Sequence, residues 1–358
     1  MVEDRLVSLV RELVEIESPT YSPGVRRVAE RVGDELERLG ASVRIHDGDH
    51  LVADLEGQGS PLLVIGHGDT VWPEGTLASF PFRLDGERAY GPGSYDMKAC
   101  VVVALEAIRL AGGGRRAIRF FLTADEEQGS RTARALLDEA AQGVAAALVV
   151  EPTTARGDLK TARKGLGRFR ITISGRAAHA GNPGDGVSAI EELAHQVLAL
   201  HRLADAGRGL SFNVGVVRGG TSENVVAATA EADVDVRVST KADLTLAEEL
   251  LARLGPELDG TTIAVSGGWT RPPLERSPGS SRLFAQAREY GRELGLDLRE
   301  SSAAGGSDGN LVGAAGVPVL DGLGVEGGGA HAVTEHVLLA SLPVRAQLLA
   351  RMLEDPGV

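Results

Sequence analysis

Apolar residues fall along this chain in two rhythms. In the first half, short unbroken runs such as Leu62-Leu63-Val64-Ile65, Ala117-Ile118-Arg119-Phe120-Phe121-Leu122-Thr123 and Ala145-Ala146-Ala147-Leu148-Val149-Val150 alternate with longer amphipathic stretches. The runs predict strands buried on both faces, and the stretches predict helices with one apolar face. A helix is expected over 1–18, with Leu6, Leu9, Val10, Leu13 and Ile16 on one side, and another over 25–39, ended by Gly40. Strands over 42–46 and 51–55 flank the turn Asp47-Gly48-Asp49, and an apolar helix is expected over 99–110. A helix over 130–140 takes Ser130 as its N-cap. Strands alternating with helices imply a mainly parallel α/β sheet with helices on both faces.

From about Lys164 the rhythm changes. Arg168-Phe169-Arg170-Ile171-Thr172-Ile173-Ser174 alternates strictly, as a strand with one buried face does. A helix over 187–203, strands over 211–217 and 224–238, a helix over 244–254 and a strand over 261–265 follow. That β-α-β-β-α-β order is ferredoxin-like. Trp269-Thr270-Arg271-Pro272-Pro273 reads as a linker. Beyond it come a helix over 281–294, a strand over 297–300, a Gly-rich loop at Gly305-Gly306-Ser307-Asp308, a strand over 317–320 and a helix over 338–353. The expected organisation is therefore a small α+β domain (164–273) inserted into a larger one built from 1–163 and 274–358.

Composition narrows the function. A length of 358 residues with 43% apolar content suits two globular domains. A net charge of −13 without any Lys/Arg block argues against nucleic acid as a partner, and leaves an anionic substrate to be met by a few placed arginines. Cys100 is the single cysteine, which rules out an internal disulfide and a cysteine-based zinc site. No run reaches membrane-spanning length, and Glu3, Asp4, Arg11 and Glu12 interrupt any signal-peptide core. The expectation is a soluble cytoplasmic protein.

Chemistry gathers where apolar runs stop. His67 and Asp69 follow one run; Asp96 lies in a Gly-rich loop; Asp125, Glu126 and Glu127 follow a second run; Glu151 follows a third; His331 lies after the last sheet strand. Carboxyl ends of strands are where α/β sheets place their sites. His67 and Asp69 are two apart, so in extended backbone they share a side, and Asp69 can accept from the imidazole N–H. Of Glu126 and Glu127, one can hold a metal while its neighbour stays available as a base. Several unpaired buried acids are costly without a cation. Two histidines and three carboxylates suit two divalent ions, zinc first, with cobalt or manganese also accepting the set.

These motifs, Gly66-His67-Gly68-Asp69-Thr70, Gly93-Ser94-Tyr95-Asp96-Met97-Lys98, Asp125-Glu126-Glu127-Gln128-Gly129-Ser130, Glu151-Pro152-Thr153 and Gly329-Ala330-His331, resemble a known family. It is the dinuclear-zinc metallopeptidase family of glutamate carboxypeptidase, acetylornithine deacetylase, succinyl-diaminopimelate desuccinylase and aminoacylase. The resemblance extends over nearly the whole chain and includes the inserted lid domain. It implies that Asp96 bridges two metals, that His67 and Glu151 complete one, and that Glu127 and His331 complete the other. It further implies Glu126 as general base, Asp69 behind His67, and a cis peptide at Asp96-Met97. In the lid, His179 resembles the histidine that reaches a neighbouring active site across a homodimer to donate to the oxyanion. Asn224 and Arg237 resemble residues that grip a substrate carboxylate, as does Arg271, and Gly305-Gly306 resembles a loop beside the substrate. Two departures stand out: Ala99-Cys100 replace the Gly-Gly common after the Asp-Met-Lys, and His336 follows Glu335 where an aromatic residue is common.

The implied reaction is amide hydrolysis by a metal-activated water, with Glu126 moving the proton. The first reading is a carboxypeptidase releasing a C-terminal amino acid from a small peptide. The alternative is a deacylase acting on an N-acyl amino acid. A third reading is a non-catalytic binding protein on the same scaffold, and the intact ligand set together with Glu126 speaks against it.

Overall fold

The unbroken apolar runs form the middle of a six-stranded sheet, in the order Ser42–Ile45, Leu51–Leu55, Arg116–Thr123, Gln58–His67, Ala146–Val149, Val319–Leu320. The last four run parallel; Leu51–Leu55 joins them antiparallel, and Ser42–Ile45 pairs antiparallel with Leu51–Leu55 in turn. The computed structural model describes residues 2–358. Leu62, Leu63, Val64, Ile65, Phe120, Phe121, Ala147 and Leu148 are all buried, as strands covered on both faces must be. Helix Ala99–Ala111 is apolar on nearly every side and buried along most of its length, and it packs against helix Ser341–Glu354. Each fully buried Val or Leu of this layer contributes about 1.5–3 kcal/mol.

Register sets up the site. His67 lies opposite Thr123, and Ile65 lies opposite Val149, so three neighbouring parallel strands end level with one another. Adjacent strands are about 4.8 Å apart. Residues 67, 124–127 and 150–151 therefore leave the sheet at one edge, within side-chain reach of each other. A small antiparallel sheet pairs Gly327–Gly328 with His336–Leu338 and Arg88–Tyr90. Its hairpin loop carries His331 with a left-handed φ of 63°, next to Gly329 at φ 74°. A Cβ on Gly329 would stand 2.6 Å from the Thr334 carbonyl oxygen, so only glycine fits that turn.

These elements belong to one compact unit, Met1–Ala162 with Arg276–Ala303 and Ser307–Val358; the other is Arg163–Glu275 with Ala304–Gly306. The second unit holds a four-stranded antiparallel sheet, in the order Ser211–Gly219, Thr229–Val238, Gly165–Ser174, Thr262–Arg271. With helices Ala189–Leu203 and Lys241–Ala252 this is the ferredoxin-like arrangement. Ile171, Ile173, Phe212, Ala232, Val234 and Val236 form its core with Leu193 and Leu251 from the helices.

Several boundaries differ from the sequence reading. The first helix is Val2–Val14 rather than 1–18, and Ser18 precedes Pro19, whose ring disfavours helical backbone before it. The expected linker at 269–273 is largely strand: Arg271 pairs with Leu166 and is buried, and the strand stops at Pro272, which has no N–H to donate. The strand expected from 224 begins only at Thr229. Ser130 does not cap a helix. It has φ 53°, its hydroxyl donates to buried Asp308, and the helix starts later, at Arg134–Ala140.

Candidate metal centre

At the carboxyl edge of the large sheet, two groups of three ligand types converge: His67, Asp96 and Glu151, and Asp96, Glu127 and His331. Within each group one candidate ligand atom per residue lies within 4.8 Å of the others. Asp96 divides its oxygens between them. Oδ1 stands 3.2 Å from His67 Nε2, and Oδ2 stands 3.4 Å from His331 Nε2. Glu151 Oε1 is 3.8 Å from His67 Nε2, and Glu127 Oε1 is 3.4 Å from His331 Nε2. Ligands of a tetrahedral ion bonded at about 2.0–2.1 Å are separated by roughly 3.4 Å, so the spacings fit.

Two further observations support the fit. Glu127 Oε1 is buried and makes no hydrogen bond, despite the nearby imidazole; a buried carboxylate oxygen left so is costly unless a cation faces it. The His67 ring is already oriented for a ligand's role. Its Nδ1 is 2.9 Å from the Asp69 main-chain oxygen, and a carbonyl can only accept, so Nδ1 carries the proton. Once that ring is neutral, as a metal ligand must be, Nε2 has its lone pair towards Asp96 and Glu151.

Asp69 does more than the sequence spacing suggests. Its carboxylate is fully buried and 3.4 Å from His67 Nδ1, while the shorter contact to that nitrogen is made by its main chain. The carboxylate accepts from the Glu126 N–H at 3.1 Å, the Glu127 N–H at 3.2 Å and Thr20 Oγ1 at 2.7 Å. It thereby ties the turn bearing both glutamates to the strand end bearing His67. His50 secures the same turn from the other side. Its Nδ1 accepts from the Ala124 N–H at 3.1 Å, its Nε2 reaches Thr132 Oγ1 at 3.0 Å, and that hydroxyl donates to Asp125. Asp308 accepts from the Thr123 and Ser130 hydroxyls, which flank the turn. Glu126 belongs to neither ligand group.

The electrostatics follow from so many acids at one edge. Burial alone would make His67 less basic, but hydrogen bonds with Asp69 and Asp96 raise its pKa well above the ordinary value. The Asp96 and Glu127 carboxylates beside it raise His331 to about 10. Burial would raise Asp96, yet the two imidazoles hold it far below the usual carboxylate range. The cluster demands positive charge, which protons on the imidazoles supply when no ion does.

The Gly91–Lys98 loop that delivers Asp96 has a tight entry and a cis peptide at Asp96-Met97. Gly93 has φ 71°, and a Cβ there would lie 2.5 Å from Thr70 Cγ2. The lid residues form two sets inside the second unit. His179 and Asn224 are exposed neighbours: the Asn224 carbonyl accepts from the Ala180 N–H at 2.9 Å, and His179 bridges Val225. The Gly181 N–H donates to His179 Nδ1 at 2.9 Å, so the neutral ring keeps its proton on Nε2. Arg237 and Arg271 meet the Gly-rich loop. Arg237 is bidentate to Asp235 at 2.6 and 2.9 Å and donates to the Ala304 carbonyl at 3.2 Å. Arg271 packs against Gly306, where a Cβ would be 2.6 Å from its Cδ. Arg163, which the sequence reading passed over, donates to the Gly305 and Gly306 carbonyls at 3.3 and 3.1 Å. Arg163 is itself buried at the end of the Leu159–Arg163 strand, and no periodicity in that strand marks it out.

Residues 63–355 match peptidase family M20/M25/M40. The chain is 32% identical to carboxypeptidase G2 of Pseudomonas sp. (strain RS-16), over 98% of its own length and 89% of the relative's. It is 28% identical to a succinyl-diaminopimelate desuccinylase of Acinetobacter baylyi, over 91% and 90% of the two chains. In fold it is similar to an aminopeptidase from Bacillus cereus, with TM-score 0.86, 22% identity and 99% of each chain covered. It is also similar to an M20 family metallo-carboxypeptidase from Sulfolobus solfataricus, with TM-score 0.80, 16% identity and 99% of each chain covered.

Proposed function

Because this chain belongs to peptidase family M20/M25/M40, we propose that it is a two-metal carboxypeptidase that hydrolyses the amide preceding a C-terminal amino acid. The observation that carries this reading is the divided carboxylate of Asp96, one oxygen facing each histidine at 3.2 and 3.4 Å. In this reading His67 and Glu151 hold one divalent ion, Glu127 and His331 hold the second, and Asp96 is shared. Zinc suits the nitrogen and oxygen donors, with cobalt or manganese as functional substitutes. When bound, such a pair supplies Lewis acidity and an acidified water.

The chain's own residues do the rest. Glu126 takes a proton from the attacking water and delivers it to the leaving amide nitrogen, so the carboxyl returns to its starting state when the C–N bond has broken. Asp69 holds the Glu126 main chain through the turn. His179, with its proton on Nε2, is a donor for the substrate carbonyl oxygen as that oxygen gains negative charge. One good donor of this kind is worth about 3–4 kcal/mol. Asn224, Arg237 and Arg271 bind the free carboxylate of the product amino acid, beside the Gly305-Gly306 loop. Arg237 reaches such a ligand by exchanging its bonds to Asp235 and Ala304 for it.

His179 acts on the neighbouring copy, so the reading includes a homodimer, and an active monomer in solution contradicts that part. Cytoplasmic residence fits the lone buried Cys100, and no helix among the described residues is long and apolar enough to cross a membrane.

Deacylation of an N-acyl amino acid is the second reading. It uses the same carboxylate contacts and is favoured by the desuccinylase likeness. The carboxypeptidase G2 likeness, at 32% over nearly the whole chain, supports the first. A panel of acyl-glutamate dipeptides against N-acetyl amino acids, with zinc, cobalt or manganese added and removed, separates them. Preferred turnover of the dipeptides supports the carboxypeptidase, and preferred turnover of the acetylated amino acids replaces it with the deacylase.

A further inference from the structure

Glu335 is wholly buried, and neither the sequence motifs nor the ligand groups assign it a task. Its side chain collects four donors from two separate parts of the chain. Oε2 accepts from Trp72 Nε1 at 2.7 Å and from the Gly93 N–H at 3.0 Å. Oε1 accepts from the Tyr95 and Asp96 N–H groups, each at 3.0 Å. Both oxygens thus act only as acceptors, and three of the four bonds go to the main chain of the loop that ends in Asp96.

The position of Glu335 gives these bonds meaning. It stands four residues after His331 in the same hairpin loop, at the start of the strand His336–Leu338. Its main chain also joins that loop: its N–H donates to the Ala332 carbonyl at 2.8 Å, and its carbonyl accepts from the Gly91 N–H. One residue therefore fastens the loop carrying His331 to the loop carrying Asp96, and it grips Asp96 at its own amide. The geometry points to Glu335 as a positioning residue that fixes the shared carboxylate of Asp96 relative to His331, and so builds the exposed half of the metal pair. This rests on the two-metal reading above. Glutamine is the informative replacement because it keeps size and shape while turning one acceptor into an N–H₂ that faces main-chain N–H groups. Partners behind metal ligands typically change metal affinity or activity by about 10–100-fold.

The test uses cobalt, whose visible spectrum reports coordination, titrated into the metal-free full chain for the native protein and Glu335→Gln. The native protein is expected to take two equivalents. Glu335→Gln is expected to take the first with unchanged affinity, to bind the second at least tenfold more weakly with an altered absorption band, and to lose kcat with KM within twofold. A merely structural role predicts a lower melting temperature with both equivalents and the spectrum preserved, and that result overturns the proposal. Should Glu335→Gln not fold, Trp72→Phe decides instead. Removing one donor of four is expected to weaken the second equivalent about threefold and leave the first alone, and an unaltered second equivalent there overturns the proposal. A native protein that binds only one cobalt overturns the two-metal reading itself and the proposal with it, a failure distinct from two normal equivalents in the variant.

Discussion

The two halves of the acidic cluster use the same residue types and differ in depth. The His67 side chain is 2% exposed and ends the second of four parallel strands, whereas that of His331 is 51% exposed and rides on a hairpin loop. Glu151 follows a sheet strand directly, while Glu127 sits in a turn held by Asp69, His50 and Asp308. The first half is therefore fixed by the sheet that makes the core. The second is assembled from loops and depends on side-chain carboxylates to hold its shape. Depth, more than ligand chemistry, distinguishes them, and that difference can be broken or sharpened by experiment.

The largest expected effect falls on neither half. Glu126→Gln should lower turnover by about 10²–10⁴-fold, the span of general acid–base catalysis, while elemental analysis still finds both ions. Near-normal turnover in that variant removes Glu126 from its role. Next comes a contrast between the histidines. In the metal-free protein His67→Ala should destabilise by about 1–3 kcal/mol, because buried partners lose their hydrogen bonds. His331→Ala removes a half-exposed partner of Asp96 and Glu127 and should cost less than His67→Ala, because solvent screens the carboxylates it leaves. Denaturant unfolding of the two variants measures the difference, and equal losses would show that depth does not separate the halves.

How much of this contrast was legible beforehand depends on the interactions that make it. The strand ends were readable because continuous apolar runs stopping at His67, Asp125 and Glu151 leave few other architectures, and the alternation from Arg168 to Ser174 declared a one-faced sheet. The assignment of His331 came through the family resemblance, since a glycine-rich hairpin has no periodicity to read. The tasks of Asp69 and Glu335 were hidden because they hold main-chain N–H groups 57 and more than 200 residues away; local spacing carries no trace of such bonds. Ser130 misled for a related reason: a serine before a helix looks like a cap, and only the distant Asp308 shows where its hydroxyl goes.

Smaller effects sharpen the comparison further. On stepwise chelation, the ion at the exposed half should leave first, so that activity and one equivalent of metal disappear before the second equivalent; simultaneous loss would mean a single cooperative site. Acidity supplies the last contrast. His331 is raised to about 10 in the folded metal-free protein by Asp96 and Glu127, from an ordinary value of 6.5. Its contribution to stability is therefore complete below the unfolded value and lost as pH rises through the folded one. Melting of the metal-free protein should accordingly soften from neutral pH towards pH 10, whereas the metal-loaded protein, whose ring is not protonated, should lack that slope. Metal uptake should release protons and tighten as pH rises. A flat metal-free profile would mean that His331 does not face the two carboxylates.

The most direct measurement is anomalous scattering at the zinc edge from crystals grown with zinc. The account predicts two peaks flanking Asp96, one within about 2.0–2.2 Å of donor atoms from His67 and Glu151, the other equally close to Glu127 and His331. Peaks elsewhere, or none between these residues in a well-ordered crystal, would contradict it.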